Sequence, residues 1–427
     1  MEQAVKGQRQ LNEAGVFTEY GPQKVVVKGS QPHPTPLVEP TAMASVQPVD
    51  PHYVPKLPDK LISSGDLSDA QLENVVYAGQ AHGKVLANGE RMGYFIGDGT
   101  GVGKGRQIAA IILDNWNQGR RKALWVSKGR RLIDDAKRDL GDIGFDTGKV
   151  IDLYKNGGKG LVGAGDGVAF VPYSSLRTDN PGLTVDGKLQ LPREKKGVRK
   201  PARIHLLEKW LGPDFDGVIV FDEAHQAGNA LDLKGKRGVK EASEQGRMVL
   251  DVQRLFPKAR VVYSSATGAT DVTNLSYADR LGIWGVGTPF ATKEKFFDEI
   301  KSGGLSAMEI VARDLKSMGR YLARTLSFEG VGHRQLGHTL SPEQQGIYDE
   351  LGRAWQYVLQ HRNETMARTN AAKDGRARAD ANSAFYGAQQ RFYSQLLTAM
   401  QMPSILSDVK AELAKGNSAV LQLVNTD

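Results

Sequence analysis

Gly97-Asp98-Gly99-Thr100-Gly101-Val102-Gly103-Lys104-Gly105-Arg106 is a phosphate-loop sequence in which glycine stands where a Ser or Thr usually follows the lysine. Glycines let consecutive backbone N–H groups turn inward around an anion, and Lys104 can reach terminal phosphates as a mobile point charge. The loop therefore argues for nucleoside triphosphate binding through Gly99, Thr100, Gly101, Val102, Gly103, Lys104, Gly105 and Arg106. Its setting supports this reading. Tyr94-Phe95-Ile96 predicts a short buried strand before the loop, and Ile108, Ile111, Ile112 and Trp116 fall at helical spacing after it.

Further out, apolar runs at 123–126, 168–171, 218–221 and 261–263 alternate with amphipathic segments. This is the α/β pattern of a parallel sheet covered by helices, expected over residues 59–290. Residues 1–58 carry Pro32, Pro34, Pro36, Pro40, Pro48, Pro51, Pro55 and Pro58 with little periodicity, which predicts an extended linker. Helical spacing dominates at 310–326, 342–360 and 383–400, so a mostly helical extension is expected over 291–416. Residues 363–380 lack an apolar stripe and read as a loop or an exposed helix, and 418–424 as the start of another strand.

The 427 residues exclude a small binding module. A net charge of +8 and a pI near 9.3 bias partners toward polyanions, nucleic acid first. The absence of cysteine rules out disulfides, thiolate metal sites and cysteine nucleophiles. None of the eight histidines shows His-Glu-x-x-His spacing, which leaves zinc without support. No apolar run approaches the roughly 20 residues that span a bilayer, and Met1-Glu2-Gln3 does not open a secretory signal. A cytoplasmic protein with no membrane partner is expected, virion-associated if phage-encoded.

Two further motifs follow predicted strands. Asp222-Glu223-Ala224-His225 would put both carboxylates at the sheet edge, where ligands bind in open α/β folds. Asp222 can hold Mg²⁺ and Glu223 can polarise an attacking water. Ser265-Ala266-Thr267 can hydrogen-bond the carboxylate loop, so His225, Ser265 and Thr267 are candidates for coupling hydrolysis to movement. Upstream, the amide of Gln71 offers a donor and an acceptor to an adenine edge, which would select ATP. Ser127, Lys128, Arg130, Ser174 and Ser175 end two other strands, where hydroxyls and cations could grip DNA phosphates without reading bases. Basic clusters at Lys195-Lys196, Arg199-Lys200 and Lys234, Lys236 and Arg237 are weaker candidates for the same task. Phe385, Phe392 and Leu396 share a helical stripe and predict core packing rather than base stacking.

These motifs are those of superfamily 2 helicases, and the chain resembles the strawberry notch family within it. The matching residues are 97–106, 221–225 (FDEAH), 261–269 (VVYSSATGA) and 280–285 (RLGIWG), with weaker matches at 67–78, 212–220, 324–331 (RTLSFEGV) and 390–397. The resemblance implies a RecA-like ATP-binding lobe of an ATP-dependent DNA helicase or translocase, with ATP and Mg²⁺ as cofactors. It also implies double-stranded DNA as partner and a fused or neighbouring DNA methyltransferase. In that family glycine also follows the lysine, so Gly105 marks the branch. Mg²⁺ normally takes one of its six oxygens from the missing hydroxyl, which leaves Asp222, phosphates and waters to fill the shell. A motor of this kind needs a second RecA-like lobe with an arginine finger. No Gln-x-x-Gly-Arg-x-x-Arg segment occurs, so residues 417–427 are expected to open a second lobe lying outside this sequence. The alternative is a non-motor DNA-binding or virion scaffold protein that keeps the fold without efficient turnover.

Overall fold

The computed structural model describes residues 9–10, 16–153, 160–161, 163–177, 203–235, 238–267, 275–368 and 375–422. Seven short strands form one sheet: β1 (Tyr94–Ile96), β2 (Lys122–Ser127), β3 (Val150–Asp152), β4 (Gly167–Pro172), β5 (Val218–Asp222), β6 (Arg260–Ser264) and β7 (Tyr321–Leu322). Their order is β7-β1-β6-β5-β2-β4-β3, and every neighbouring pair is parallel. Alternation along the strands explains why they are apolar throughout. Tyr94, Ile96, Trp125, Val220 and Val262 enter one core, which they share with α1 (Asp69–His82), α2 (Lys104–Asn117) and α3 (Leu132–Asp142). Phe95, Leu124, Val126, Phe221 and Tyr263 enter a second, shared with α4 (Arg203–Leu211), α5 (Glu244–Leu255) and α6 (Lys293–Ser317). The result is an α/β, RecA-like P-loop lobe, its parallel sheet sandwiched by helices.

Two segments differ from expectation. The proline-rich stretch is not an extended linker over its described residues. Strands Phe17–Tyr20 and Leu37–Pro40 pair antiparallel, and Thr325–Leu326 pairs with the other edge of the second. Leu37, Val38 and Met43 are buried, while Pro40 ends its strand, where proline is tolerated. The helix expected across 310–326 stops at Ser317, because Gly319 takes φ +66° and a Cβ there would meet Val49 and Tyr77. The chain then turns back to supply β7. Consequently α6 and β7 belong to the same compact unit as the sheet, Asn12–Glu329.

A second unit comprises Met1–Leu11 and Gly330–Asp427. Arg9–Gln10 pairs antiparallel with Gly332–His333. Two long helices follow, α7 (Pro342–Arg368) and α8 (Gly375–Ala414), so this part is mostly helical. Trp355 packs on Phe385 and Phe392 with ring centroids 5.3 and 5.7 Å apart, as the stripe on α8 predicts. Residues 363–368 and 375–380 are helical, and 369–374 lie outside the described residues. Residues 417–422 take no regular secondary structure, so the expected opening strand is not seen there; 423–427 lie outside the described residues.

In the sheet unit, a fully buried ion cluster ties distant segments together. Arg324, just after β7, donates from Nε to Asp98 Oδ1 at 3.0 Å and from Nη2 to Asp98 Oδ2 at 2.7 Å. Its Nη1 reaches Glu73 Oε2 at 3.0 Å and the carbonyl of Ala70 at 2.7 Å. Tyr20 donates its hydroxyl to the same Glu73 oxygen. Removing one partner of a buried pair strands the other charge, so Arg324→Met is expected to cost about 3–5 kcal/mol, read as a lowered urea midpoint. A second prediction concerns acid. Burial pushes the His82 ring down to about 3, and its Nε2 lies 3.1 Å from the carbonyl of Val261, which fits a neutral ring donating there. The unfolded chain protonates this histidine near 6.5 while the fold does not, so stability is lost as pH falls below that value. Between pH ~6.5 and ~5, above most carboxylate titrations, the urea midpoint should fall less steeply in His82→Asn than in the wild type.

Candidate nucleotide-binding site

Crossover helix α2 starts after β1 and passes β6 and β5 to reach β2, which leaves β1, β6 and β5 as neighbours. In the ladder Ser264 of β6 is the register partner of Ile96 on one side and of Asp222 on the other. The glycine loop, the Ser265-Ala266-Thr267 segment and the Asp222-Glu223 pair therefore leave the sheet from one row. Ligands bind at such strand ends in open α/β sheets.

The loop is held from behind. Gly97 and Gly99 donate their N–H groups to the carbonyls of Leu322 and Arg324 at 2.7 and 2.6 Å. Gly101 and Gly103 take φ +93° and +89°, the left-handed region that favours glycine. Gly103 caps α2 without a side chain, and the first turn contains no acidic residue, so the helix offers its amides and the positive end of its dipole to an anion. Lys104 Nζ rests 3.3 Å from the carbonyl of Gly99. Thr100 and Gly101 are exposed, whereas Val102 is buried against Leu37 and Ala70. Arg106 is paired with Asp142 at 2.6 Å.

Gln71 departs from the adenine-reading expectation. Its Oε1 accepts from the N–H of Ser68 at 3.0 Å, closing a capping box on α1, and its Nε2 donates to the carbonyl of Val102 at 2.9 Å. The residue is buried, with both ends of its amide engaged by the protein, and it braces the loop. The Ser-x-x-Gln spacing at 68–71 is the signal that could have shown this.

Asp222 ends β5 with its Oδ1 accepting from the N–H of Glu223 at 2.9 Å and its Oδ2 from the Ser127 hydroxyl at 3.0 Å. Ser127, expected at a DNA phosphate, is thus buried and spent on this carboxylate. It is the last residue of β2, a direct neighbour of β5, so its side chain meets Asp222 across the sheet. Burial pushes the Asp222 carboxyl above the usual carboxylate range; the Ser127 hydrogen bond pulls down and the Glu223 charge pushes up. Each carboxylate oxygen retains a lone pair beyond these bonds. A hard, oxygen-seeking cation such as Mg²⁺ fits this donor and would relieve the cost of burying its charge.

Glu223 takes φ +47°, ψ +47°, an unusual conformation for a residue with a side chain and one found at functional sites. His225 Nδ1 lies 3.3 Å from Glu223 Oε2 and 3.1 Å from Ser265 Oγ. Ser265 Oγ in turn sits 3.3 Å from Thr267 Oγ1 and accepts from the N–H of Thr267 at 3.2 Å. The ends of β5 and β6 are thereby linked through side chains.

At the ends of β2 and β4, Lys128 and Ser174 are exposed and Ser175 is buried. Arg130 is half-exposed with Nε 3.6 Å from Asp152. Residues 178–202, which include Lys195, Lys196, Arg199 and Lys200, lie outside the described residues, as do Lys236 and Arg237. Sequence reading passed over Asp98, Glu73 and Arg324, whose cluster anchors the loop, although Asp98 and Arg324 stand inside the motifs quoted above. Among the described residues no helix is long and apolar enough to cross a membrane.

The profile of a family described as P-loop containing NTP hydrolase pore-1 matches residues 32–350. Protein FORGETTER 1 of Arabidopsis thaliana is 36% identical over 434 residues, covering 100% of this chain and 32% of that protein. Protein strawberry notch of Drosophila melanogaster is 37% identical, with 98% of this chain and 24% of that protein covered. Protein strawberry notch homolog 1 of Homo sapiens is 36% identical, with 98% and 29% covered. The chain thus spans between about a quarter and a third of these relatives. Among solved structures, the Sulfolobus solfataricus SWI2/SNF2 ATPase core in complex with dsDNA superposes with a TM-score of 0.36 at 15% identity, over 63% of this chain and 49% of that one. On the profile match across residues 32–350 and the identities with the strawberry notch proteins, the chain belongs to the P-loop containing NTP hydrolase pore-1 family and is a homologue of strawberry notch.

Proposed function

We propose that this chain binds ATP with Mg²⁺ and serves as the ATP-binding lobe of a motor that moves on double-stranded DNA. The observation that carries this reading is the row Ile96, Ser264, Asp222, from which all three motif loops leave the sheet together. The amides of residues 99–105 and the Lys104 ammonium would hold the phosphates, with Thr100 at the open rim. Asp222 would hold Mg²⁺, which when bound screens the phosphate charge that builds up during transfer. Glu223 would orient the attacking water. The His225–Ser265–Thr267 chain would pass the state of that carboxylate loop to the end of β6. Lys128, Arg130 and Ser174, at the ends of β2 and β4, are the side of the lobe proposed to face DNA phosphates, supported by the +8 net charge, whereas Ser175 is buried. Efficient turnover would need a second RecA-like lobe to close the cleft and supply an arginine, an effect of about 10³–10⁵ in rate in related systems.

Lys104→Ala should weaken binding of a fluorescent ATP analogue by about 2 kcal/mol, roughly thirtyfold, as loss of one charge-assisted bond. Glu223→Gln should leave that affinity unchanged and remove what hydrolysis the chain shows. Affinity for duplex DNA, followed by fluorescence anisotropy, should fall steeply as salt rises from about 50 to 200 mM. Rapid DNA-stimulated hydrolysis by this chain alone, abolished by Lys104→Ala, would sink the requirement for a second lobe.

A further inference from the structure

Gly105 leaves the phosphate loop without the hydroxyl that usually faces Mg²⁺, and the structure shows what stands there instead. An ideal Cβ at position 105 would overlap Oδ2 of Asp139 and lie 2.9 Å from its Cγ. Asp139 is on α3, the helix that packs beside α2 in the same core. A carboxylate oxygen thus occupies the space in which a Ser or Thr side chain would begin. The aspartate is not a surface residue that happens to lean inward: its side chain is only 18% exposed. Arg138 reaches its other oxygen, Oδ1, at 3.4 Å, while Oδ2 is the atom turned to Gly105.

Electrostatics make this placement informative. Gly105 directly follows Lys104 in the first turn of α2, where the helix amides and dipole favour an anion. A fixed carboxylate there would compete with a bound triphosphate for the same positive end and repel it at close range. The two anions are compatible when a divalent cation lies between them. Mg²⁺ takes oxygen ligands and commonly one or two carboxylates beside substrate phosphates.

We propose that Asp139 supplies, through Oδ2, the protein oxygen that the missing hydroxyl would have turned to Mg²⁺, so that Asp139 and Asp222 would together hold the metal of the ATP complex. Glycine at 105 is then the residue that makes room for the carboxylate, and the pair Gly105–Asp139 replaces a Ser or Thr in one stroke. This rests on the nucleotide-binding reading above.

The test measures Mn²⁺ affinity by electron paramagnetic resonance in the presence of a non-hydrolysable ATP analogue, alongside metal-free binding of the same analogue, for the wild type and two variants. Asp139→Asn keeps the shape and removes the charge. It should weaken Mn²⁺ binding about 10- to 100-fold, the range seen when a metal-supporting group is lost, while metal-free analogue binding stays equal or tightens. The double variant Gly105→Ser with Asp139→Ala removes the clash and restores a hydroxyl, and it should recover most of the Mn²⁺ affinity. Equal Mn²⁺ affinity in wild type and Asp139→Asn overturns the proposal and leaves the carboxylate a packing group. Should Asp139→Asn fail to fold, Asp139→Ala with glycine kept at 105 takes its place, and Mn²⁺ affinity equal to the wild type's in that variant overturns the proposal. Wild-type protein that binds no analogue at all overturns the nucleotide-binding reading and this proposal together.

Discussion

The Arg324–Asp98 interaction is the constraint on which the architecture of the phosphate loop depends. Asp98 is the second residue of that loop, and its two oxygens receive Nε and Nη2 of Arg324, the Arg324 N–H, and the side-chain amides of Asn74 and Gln107. Through this one carboxylate the segment after β7, helix α1 and helix α2 are fixed against the loop. Glu73 extends the tie to Tyr20 and so to the first strand of the small antiparallel sheet. Buried ion pairs contribute little net stability because desolvation offsets most of the attraction. The cluster is better understood as setting one loop geometry, since any other would leave charges unpaired in a fully buried place.

That tie gives the glycines of the motif a second reason beyond phosphate approach. A Cβ at Gly97 would collide with Tyr321, at Gly99 it would come within 2.9 Å of Thr325 Oγ1, and at Gly101 within 2.5 Å of Leu326. The chain at 321–326 lies so tightly along the back of the loop that side chains there are excluded. Gln71 plays the same part at Gly103 from the other side. The loop is clasped on its protein side and open at Thr100, which is what a preformed anion cradle requires: backbone amides held in place before the ligand arrives.

The sheet was legible in the sequence because parallel strands covered on both faces read as continuous apolar runs, and 123–126, 168–171, 218–221 and 261–263 are such runs. The segments misread are those whose structure depends on partners far along the chain. Leu37–Pro40 becomes the middle strand of its sheet by pairing with Thr325–Leu326, nearly three hundred residues later, as well as with Phe17–Tyr20, and β7 is two residues long, too short to show any period. Prolines hid the first and the tail of a helical pattern hid the second. At the site, residue type alone does not show which protein groups a side chain touches. Ser127 has the chemistry of a phosphate contact, but the register of β2 against β5 turns it onto Asp222. Gln71 has the chemistry of a base reader, but its place three residues after Ser68 commits it to the cap of α1.

The same register argument explains why Glu223 tolerates its left-handed backbone. Such a conformation costs on the order of 1–3 kcal/mol unless its surroundings enforce it. Here the N–H of Glu223 is held by the carboxylate of Asp222, and the carbonyl of Glu223 accepts from the N–H of Gln226 at 2.9 Å, closing the turn that follows. With both flanking groups committed, the side chain leaves the strand end beside His225 and, through it, beside Ser265. Because β5 and β6 are aligned at Asp222 and Ser264, one step of chain carries each into this contact. A shift of β6 relative to β5 by a single residue would separate His225 from Ser265, while α5 and the packing of Tyr263 on Phe221 oppose that shift. The strain at Glu223 and the rigidity of the two central strands are therefore parts of one arrangement, in which the backbone cost at position 223 fixes the carboxylate relative to a neighbour that the sheet itself holds still.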